Sequence, residues 1–169
     1  HMARALQLAA RGQYSARPNP MVGCVLVNKG DVVGEGWHER AGAPHAEINA
    51  LRAAGAKAKD AVAYVSLEPC AHHGKTPPCA TALIEAGVGK VIAAMQDPFE
   101  EVAGRGLETL RENGVEAEAG LMQSAAERLN AGFISRVTRG RPFVRLKIAA
   151  SVDGAIAMES GESQWITDA

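Results

Sequence analysis

Between residues 21 and 119 the chain alternates short β-rich runs with helical runs, and most of the helical runs stop at a glycine. A strand must bury at least one face and a helix one stripe, so few packed arrangements satisfy such an alternation. The simplest is a sheet covered by helices on both faces, with parallel strands joined through crossovers. The series opens with helical periodicity over residues 2–11 (MARALQLAAR), meeting Gly12. Residues 21–27 and 32–37 are β-rich and flank Asn28-Lys29-Gly30-Asp31, which reads as a hairpin turn. A helix over 46–54 ends at Gly55, a strand over 61–67 follows, and a helix over 79–86 ends at Gly87. Residues 90–95 read as a strand, 105–113 as a helix stopped by Gly114, and 115–119 as a weaker strand.

The spacing predicts one last helix over 124–138, opened by the capping-type pair Ser124 and Glu127 and closing near Gly140. Arg141-Pro142 then marks a boundary. Residues 142–150 (PFVRLKIAA) read as a fresh strand, and 151–169 have no core of their own to join. The expected organisation is one domain over residues 2–140 and the opening of a second over 141–169. His1-Met2 reads as a cloning remnant and is left out of the chemistry.

Composition removes several classes of partner. The 169 residues suffice for one ordinary domain with a sizeable core. A formal net charge of −1 and 4% aromatic residues supply neither a broad basic surface nor stacking platforms, so no nucleic-acid partner is expected. No apolar run approaches the roughly 18 residues of a membrane span, and no signal peptide is visible, so a cytoplasmic protein is expected. Three cysteines are an odd and small number. That suits thiols kept reduced for metal binding or catalysis better than a disulfide framework.

The thirteen residues LEPCAHHGKTPPC (67–79) hold two of those cysteines and two of the five histidines. Upstream, His45-Ala46-Glu47 opens one expected helix; Pro69-Cys70 ends a strand; Cys79 opens the next helix. Two thiolates and an imidazole are ligands that suit zinc, and three protein ligands leave the fourth tetrahedral position for water. The positive end of a helix helps hold Cys79 as the thiolate a metal needs. Zinc acidifies its water towards neutral pH, and Glu47 lies close enough to take that proton and pass it to a leaving amine. H-x-E with P-C-x-x-C is the pattern of zinc deaminases. Here eight residues separate Cys70 from Cys79 instead of two. Cys24, in a strand, reads as a core residue.

The residues by themselves leave other readings open. One is a deaminase acting on a nucleoside, a free base or tRNA. Another is a structural zinc module in which His38, His72 or Cys24 closes the coordination and Glu47 has no task. A third is a scaffold whose activity needs a further domain.

EPCAHHGKTPPC, with HAE upstream, RPNPMVGCVLV before it and AMQDPFEEVAGRGLETLRENG after it, resembles the deaminase domain of bifunctional riboflavin-biosynthesis proteins of the RibD/RibG type. The resemblance runs into VRLKIAASVDGAIAMESGESQWIT, which is similar to the start of that family's dihydrofolate-reductase-like domain. It implies a three-layer α/β/α, cytidine-deaminase-like fold with a mixed, mostly parallel sheet. It also implies zinc-dependent hydrolytic removal of an amino group from a phosphoribosylamino-pyrimidinone, with an NADPH-dependent reductase step in the intact protein. Carried over, His45, Cys70 and Cys79 would bind zinc and Glu47 would shuttle protons. Asn19, His38, His72 and Lys75 would contact substrate, the loop between the cysteines making room for cationic donors beside a phosphate. Lys147, Ser163 and Trp165 match positions at the reductase start. A small-molecule substrate and a homo-oligomer complete the expectation.

Overall fold

The computed structural model describes residues 1–71, 77–99 and 103–163. Its elements are α1 (Met2–Ala10), β1 (Gly23–Asn28), β2 (Asp31–Trp37), α2 (Ala46–Ala54), β3 (Val62–Val65), α3 (Cys79–Glu85), β4 (Lys90–Ala93), α4 (Arg105–Glu112), β5 (Glu116–Ala119), α5 (Gln123–Leu129) and α6 (Ala131–Arg139). A short 3-10 turn, Gly55–Ala58, continues α2 towards β3. The hairpin turn puts Lys29 at φ 52° and Gly30 at φ 92°, the positive angles that match a tight two-residue turn to the twist of its strands.

The strands form one sheet in the order β2-β1-β3-β4-β5. β1 pairs antiparallel with both β2 and β3, whereas β3–β4 and β4–β5 are parallel. The expected α/β/α architecture is therefore present. Parallel pairing is confined to the half of the sheet beyond β3, where each strand is joined to the next through a helix.

Side-chain alternation divides the core into two layers. Cys24, Leu26, Ala63, Val65 and Val91 face α2, α3 and α4, packing with Ala46, Ala50, Leu83 and Leu110. Val25, Val27 and Ile92 point the other way, against Met2, Ala5 and Leu8 of α1, Ala126 of α5 and Ile134 of α6. A period of two along each strand produces this division.

Two expectations change. The single helix over 124–138 breaks at Asn130, whose φ of −102° and ψ of 20° separate α5 from α6. Ser124 and Glu127 do not form a capping pair: Met122, in the left-handed region, precedes the helix, and Glu127 instead accepts from Gln123 Nε2 at 2.7 Å. Residues 142–150 form no strand and are exposed throughout. A strand needs a partner for its backbone groups, and no described strand pairs with this segment.

Helix α2 sits directly on β2. A Cβ at Gly36 would collide with the Ala46 carbonyl oxygen and lie 2.5 Å from Ala50 N; one at Gly34 would collide with the Ala50 carbonyl and lie 2.9 Å from Ala54 Cβ. Glycine in the strand and alanine in the helix thus set the separation of the two backbones. We predict that Gly36→Ala costs about 1–3 kcal/mol of stability, the usual range for overpacking, and weakens metal retention by lifting the start of α2. Chemical denaturation and zinc content measure the two effects; unchanged values in both would show that the close approach is dispensable.

Candidate metal centre and active site

His45 is the N-cap of α2, with its carbonyl accepting the first helical hydrogen bond from Asn49 N at 3.1 Å. Its imidazole therefore projects from the helix start towards the carboxyl end of β3. There the chain leaves the sheet through Glu68 and Pro69 to Cys70, and Pro78 caps α3 so that Cys79 is its first residue. The ligand atoms of His45, Cys70 and Cys79 all lie within 4.8 Å of one another, so the group could hold a metal ion. His45 Nδ1 is 3.2 Å from Cys79 Sγ and 3.7 Å from Cys70 Sγ. All three sequence-predicted ligands converge.

In the metal-free protein the two thiols of the pair are unlike. Cys79 N–H donates to Cys70 Sγ at 3.3 Å, so the helix start stabilises charge on Cys70 and not on Cys79. In the metal-free protein Cys70 is pushed down to about 4, chiefly because the Cys79 thiol donates to it. Cys79 is pushed up for the same reason, since it keeps the shared proton. The donor set fits zinc, which takes N and S ligands and would replace that proton.

Glu47 lies one residue into α2 beyond Ala46 and is 3% exposed. Its Oε2 has no hydrogen-bond partner among the described residues. A buried, unpaired carboxyl oxygen beside three potential ligands is costly in isolation and signals a missing partner. Burial, followed by the negative charge of Cys70, raises the Glu47 carboxyl to about 7.

His38 and Asn19 stand on the opposite wall. The His38 ring lies edge-on to His45, with centroids 5.4 Å apart and planes at 84°. His38 Nδ1 is 3.2 Å from the Pro44 carbonyl, to which it can only donate. With Nδ1 donating to Pro44, Nε2 accepts from Asn19 Nδ2 at 3.0 Å, an arrangement of the neutral ring that burial favours by lowering the His38 pKa. That pairing leaves Asn19 Oδ1 free of His38.

These residues line a cavity of about 360 Å³ that also contains Pro20, Val22, Leu67, Asp97, Phe99, Phe133, Arg136 and Val137. The last three come from α6, far along the chain, and no local motif announces them. Glu68 is different. Its carboxylate, 3% exposed, accepts from Asp97 N (3.1 Å), Gly104 N (2.9 Å), Gly106 N (2.8 Å) and Leu107 N (3.3 Å). It ties the cysteine loop to the start of α4, and a Cβ at Gly106 would strike the Pro69 carbonyl oxygen. An acidic residue between buried Leu67 and Pro69 was the signal available in the sequence.

Of the remaining expected site residues, His72, Lys75 and Trp165 lie outside the described residues. Lys147 is exposed and Ser163 donates to Ile156 O at 3.4 Å; neither approaches the cavity lining. Cys24 is fully buried in the core, as expected. No described helix is long and apolar enough to cross a membrane.

The raised Glu47 pKa fixes the sign of a pH effect. The folded, metal-free protein holds a proton that the unfolded chain releases near pH 4.5, so stability falls as pH rises from there to about 7. In chelator-treated protein, Glu47→Gln should remove this loss and be more stable than the parent at pH 8 by on the order of 3 kcal/mol, each tenfold difference in proton affinity between folded and unfolded chains being worth about 1.4 kcal/mol. Urea unfolding of the two proteins at pH 5 and pH 8 measures it. A difference that does not grow with pH would refute the assignment.

Comparison with known proteins agrees with this geometry. The profile of the cytidine and deoxycytidylate deaminase zinc-binding region matches residues 1–95. Riboflavin biosynthesis protein RibD of Escherichia coli (strain K12) is 61% identical over 167 residues, covering 99% of this chain and 46% of that protein. The structure of Acinetobacter baumannii RibD, form 1, superposes with a TM-score of 0.89 at 54% identity, over 99% of this chain and 47% of that one. The Thermotoga maritima diaminohydroxyphosphoribosylaminopyrimidine deaminase/5-amino-6-(5-phosphoribosylamino)uracil reductase gives a TM-score of 0.90 at 44% identity, covering 99% and 48%. The chain thus spans about half the length of these relatives. With this match, and with the His-Cys-Cys group assembled beside a buried glutamate, the chain belongs to the zinc-binding cytidine and deoxycytidylate deaminase family and is RibD-like over nearly its whole length.

Proposed function

We propose that the chain catalyses hydrolytic deamination of 2,5-diamino-6-(5-phosphoribosylamino)pyrimidin-4-one, giving 5-amino-6-(5-phosphoribosylamino)uracil and ammonia. The observation that carries the reading is the unpaired Glu47 oxygen, buried next to the His45, Cys70 and Cys79 atoms at the edge of a cavity of about 360 Å³. The substrate class follows from the RibD likeness and from the activity in the Thermotoga relative's name.

His45, Cys70 and Cys79 would hold zinc, and the zinc would supply the Lewis acidity that makes water nucleophilic at neutral pH. Glu47 takes one proton from the attacking water and delivers it to the ring nitrogen. It then takes the second proton from the added hydroxyl and passes it to the amino group, so the C–N bond breaks, the carbonyl forms and ammonia departs. Asn19, oriented by neutral His38, binds the pyrimidine edge, and the apolar wall of Leu67, Phe99, Phe133 and Val137 excludes bulk water. His72 and Lys75 are proposed for the substrate's phosphate.

Residues 2–140 form the deaminase unit in this reading, and 141–169 open a reductase unit whose NADPH chemistry belongs to a longer protein. The setting is a cytoplasmic, small-molecule pathway enzyme, with self-association as a further part of the proposal. A closed structural zinc site is less well supported. His38 is committed to Asn19 and Pro44 and Cys24 is packed in the core, so neither is free to become a fourth ligand, while His72 lies outside the described residues.

Zinc-loaded protein should release ammonia from this substrate. Glu47→Gln should retain zinc yet lose at least about 10²-fold in kcat, as removal of a general acid-base group does. Stripping zinc from the parent with a chelator should abolish release while the protein remains folded. Undiminished turnover by Glu47→Gln, or unfolding on zinc removal, would overturn the reading.

A further inference from the structure

Asn130 joins α5 to α6 and is 2% exposed. Asparagine before a helix ordinarily turns its side chain onto that helix's own first N–H groups. Here no such bond forms. The amide instead engages both backbone groups of Met21, 109 residues away: Oδ1 accepts from Met21 N at 2.8 Å, and Nδ2 donates to Met21 O at 2.9 Å. Farther along α6, Arg136 Nη2 donates to Pro18 O at 2.8 Å. The segment from Pro18 to Met21 is therefore gripped at both ends by one helix, with Asn19 between the two points. Val22, next along, accepts from His38 N at 2.9 Å through its carbonyl, so the same strap carries the second residue of the Asn19–His38 pair.

We propose that Asn130 is a positioning residue for the substrate pocket: by clasping Met21 it holds Asn19 against His38. The inference rests on the reading of this cavity as the pyrimidine site. The buried amide has used its cap on a distant loop, at the expense of a continuous helix, and the loop it holds ends in a pocket side chain. Satisfying Met21 alone needs no such long reach, since backbone groups of a surface loop can be met by water. The matched region of the deaminase profile ends at residue 95, so this brace and the wall that follows it lie outside that region.

The test uses the zinc-loaded full chain with Asn130→Ala, Asn130→Asp, Asn19→Ala and the Asn19→Ala/Asn130→Ala double variant. Asn130→Asp keeps the shape and the acceptor for Met21 N–H but loses the donor to Met21 O. Asn130→Ala should lower kcat/KM about tenfold or more, chiefly by raising KM, with zinc content at the parent level; Asn130→Asp should lose less. In the Asn19→Ala background the Asn130 change should add less than about twofold, because the two act through one contact. Multiplying losses, or a fall in kcat with KM unchanged, would overturn the proposal.

A readout independent of turnover is the ¹⁵N resonance of His38 Nε2, which accepts from Asn19. It should move in the Asn130 variants in the direction it moves in Asn19→Ala. An unmoved resonance, or loss of folding in both Asn130 variants, also overturns the assignment. If the parent itself releases no ammonia, the proposed substrate is wrong, and the His38 resonance still decides the role of Asn130.

Discussion

The contact on which the site depends is the close seating of α2 on β2. The α2 backbone at Ala46 and Ala50 can approach Gly34 and Gly36 because the strand carries no side chain at those two positions. Any larger side chain would lift the helix, and with it the residues of its first turn. Since α2 begins at His45, that separation places the imidazole and the Glu47 carboxyl over the carboxyl end of β3. The cysteines then need only short paths, one directly after the strand and one at the start of α3. The same crevice at the ends of parallel strands is where ligands bind in open α/β sheets generally.

Electrostatics within the crevice divide the work among groups that look alike in the sequence. Cys70 Sγ accepts hydrogen bonds from the Cys79 backbone N–H and thiol, which lowers the Cys70 pKa in the metal-free protein. The Cys70 charge adds to burial in raising Glu47. Glu68, three-dimensionally near and equally buried, has the opposite situation: four backbone N–H groups satisfy its carboxylate. One glutamate is a fastener and the other is left with an unpaired oxygen facing the reaction space. Burial is the same; hydrogen bonding separates their roles.

Hairpin, helices and strand order up to Ala119 were legible because each has a local cause: a period of two or 3.6, and glycines where the chain turns with positive φ. The ligand group was legible because metal chemistry restricts residue type and each ligand sits at an element boundary. Other features were not. Asn130 interrupts what reads as one helix through its φ of −102° and ψ of 20°, while its side chain reaches Met21, 109 residues away. The run PFVRLKIAA has the composition of a strand, yet strand formation also requires a partner edge, which local pattern cannot supply.

Sequence alone determined the α/β alternation, the His45, Glu47, Cys70 and Cys79 group and the zinc-deaminase class, because residue chemistry and spacing carry that information along the chain. Tertiary structure decided that the Cys79 N–H meets Cys70, which tautomer His38 adopts, that both Glu68 oxygens are bonded while Glu47 Oε2 has no partner among the described residues, and that α6 walls the cavity and grips the Asn19 segment. Each of these depends on a distance between residues remote in sequence, and hydrogen bonding and desolvation act through such distances.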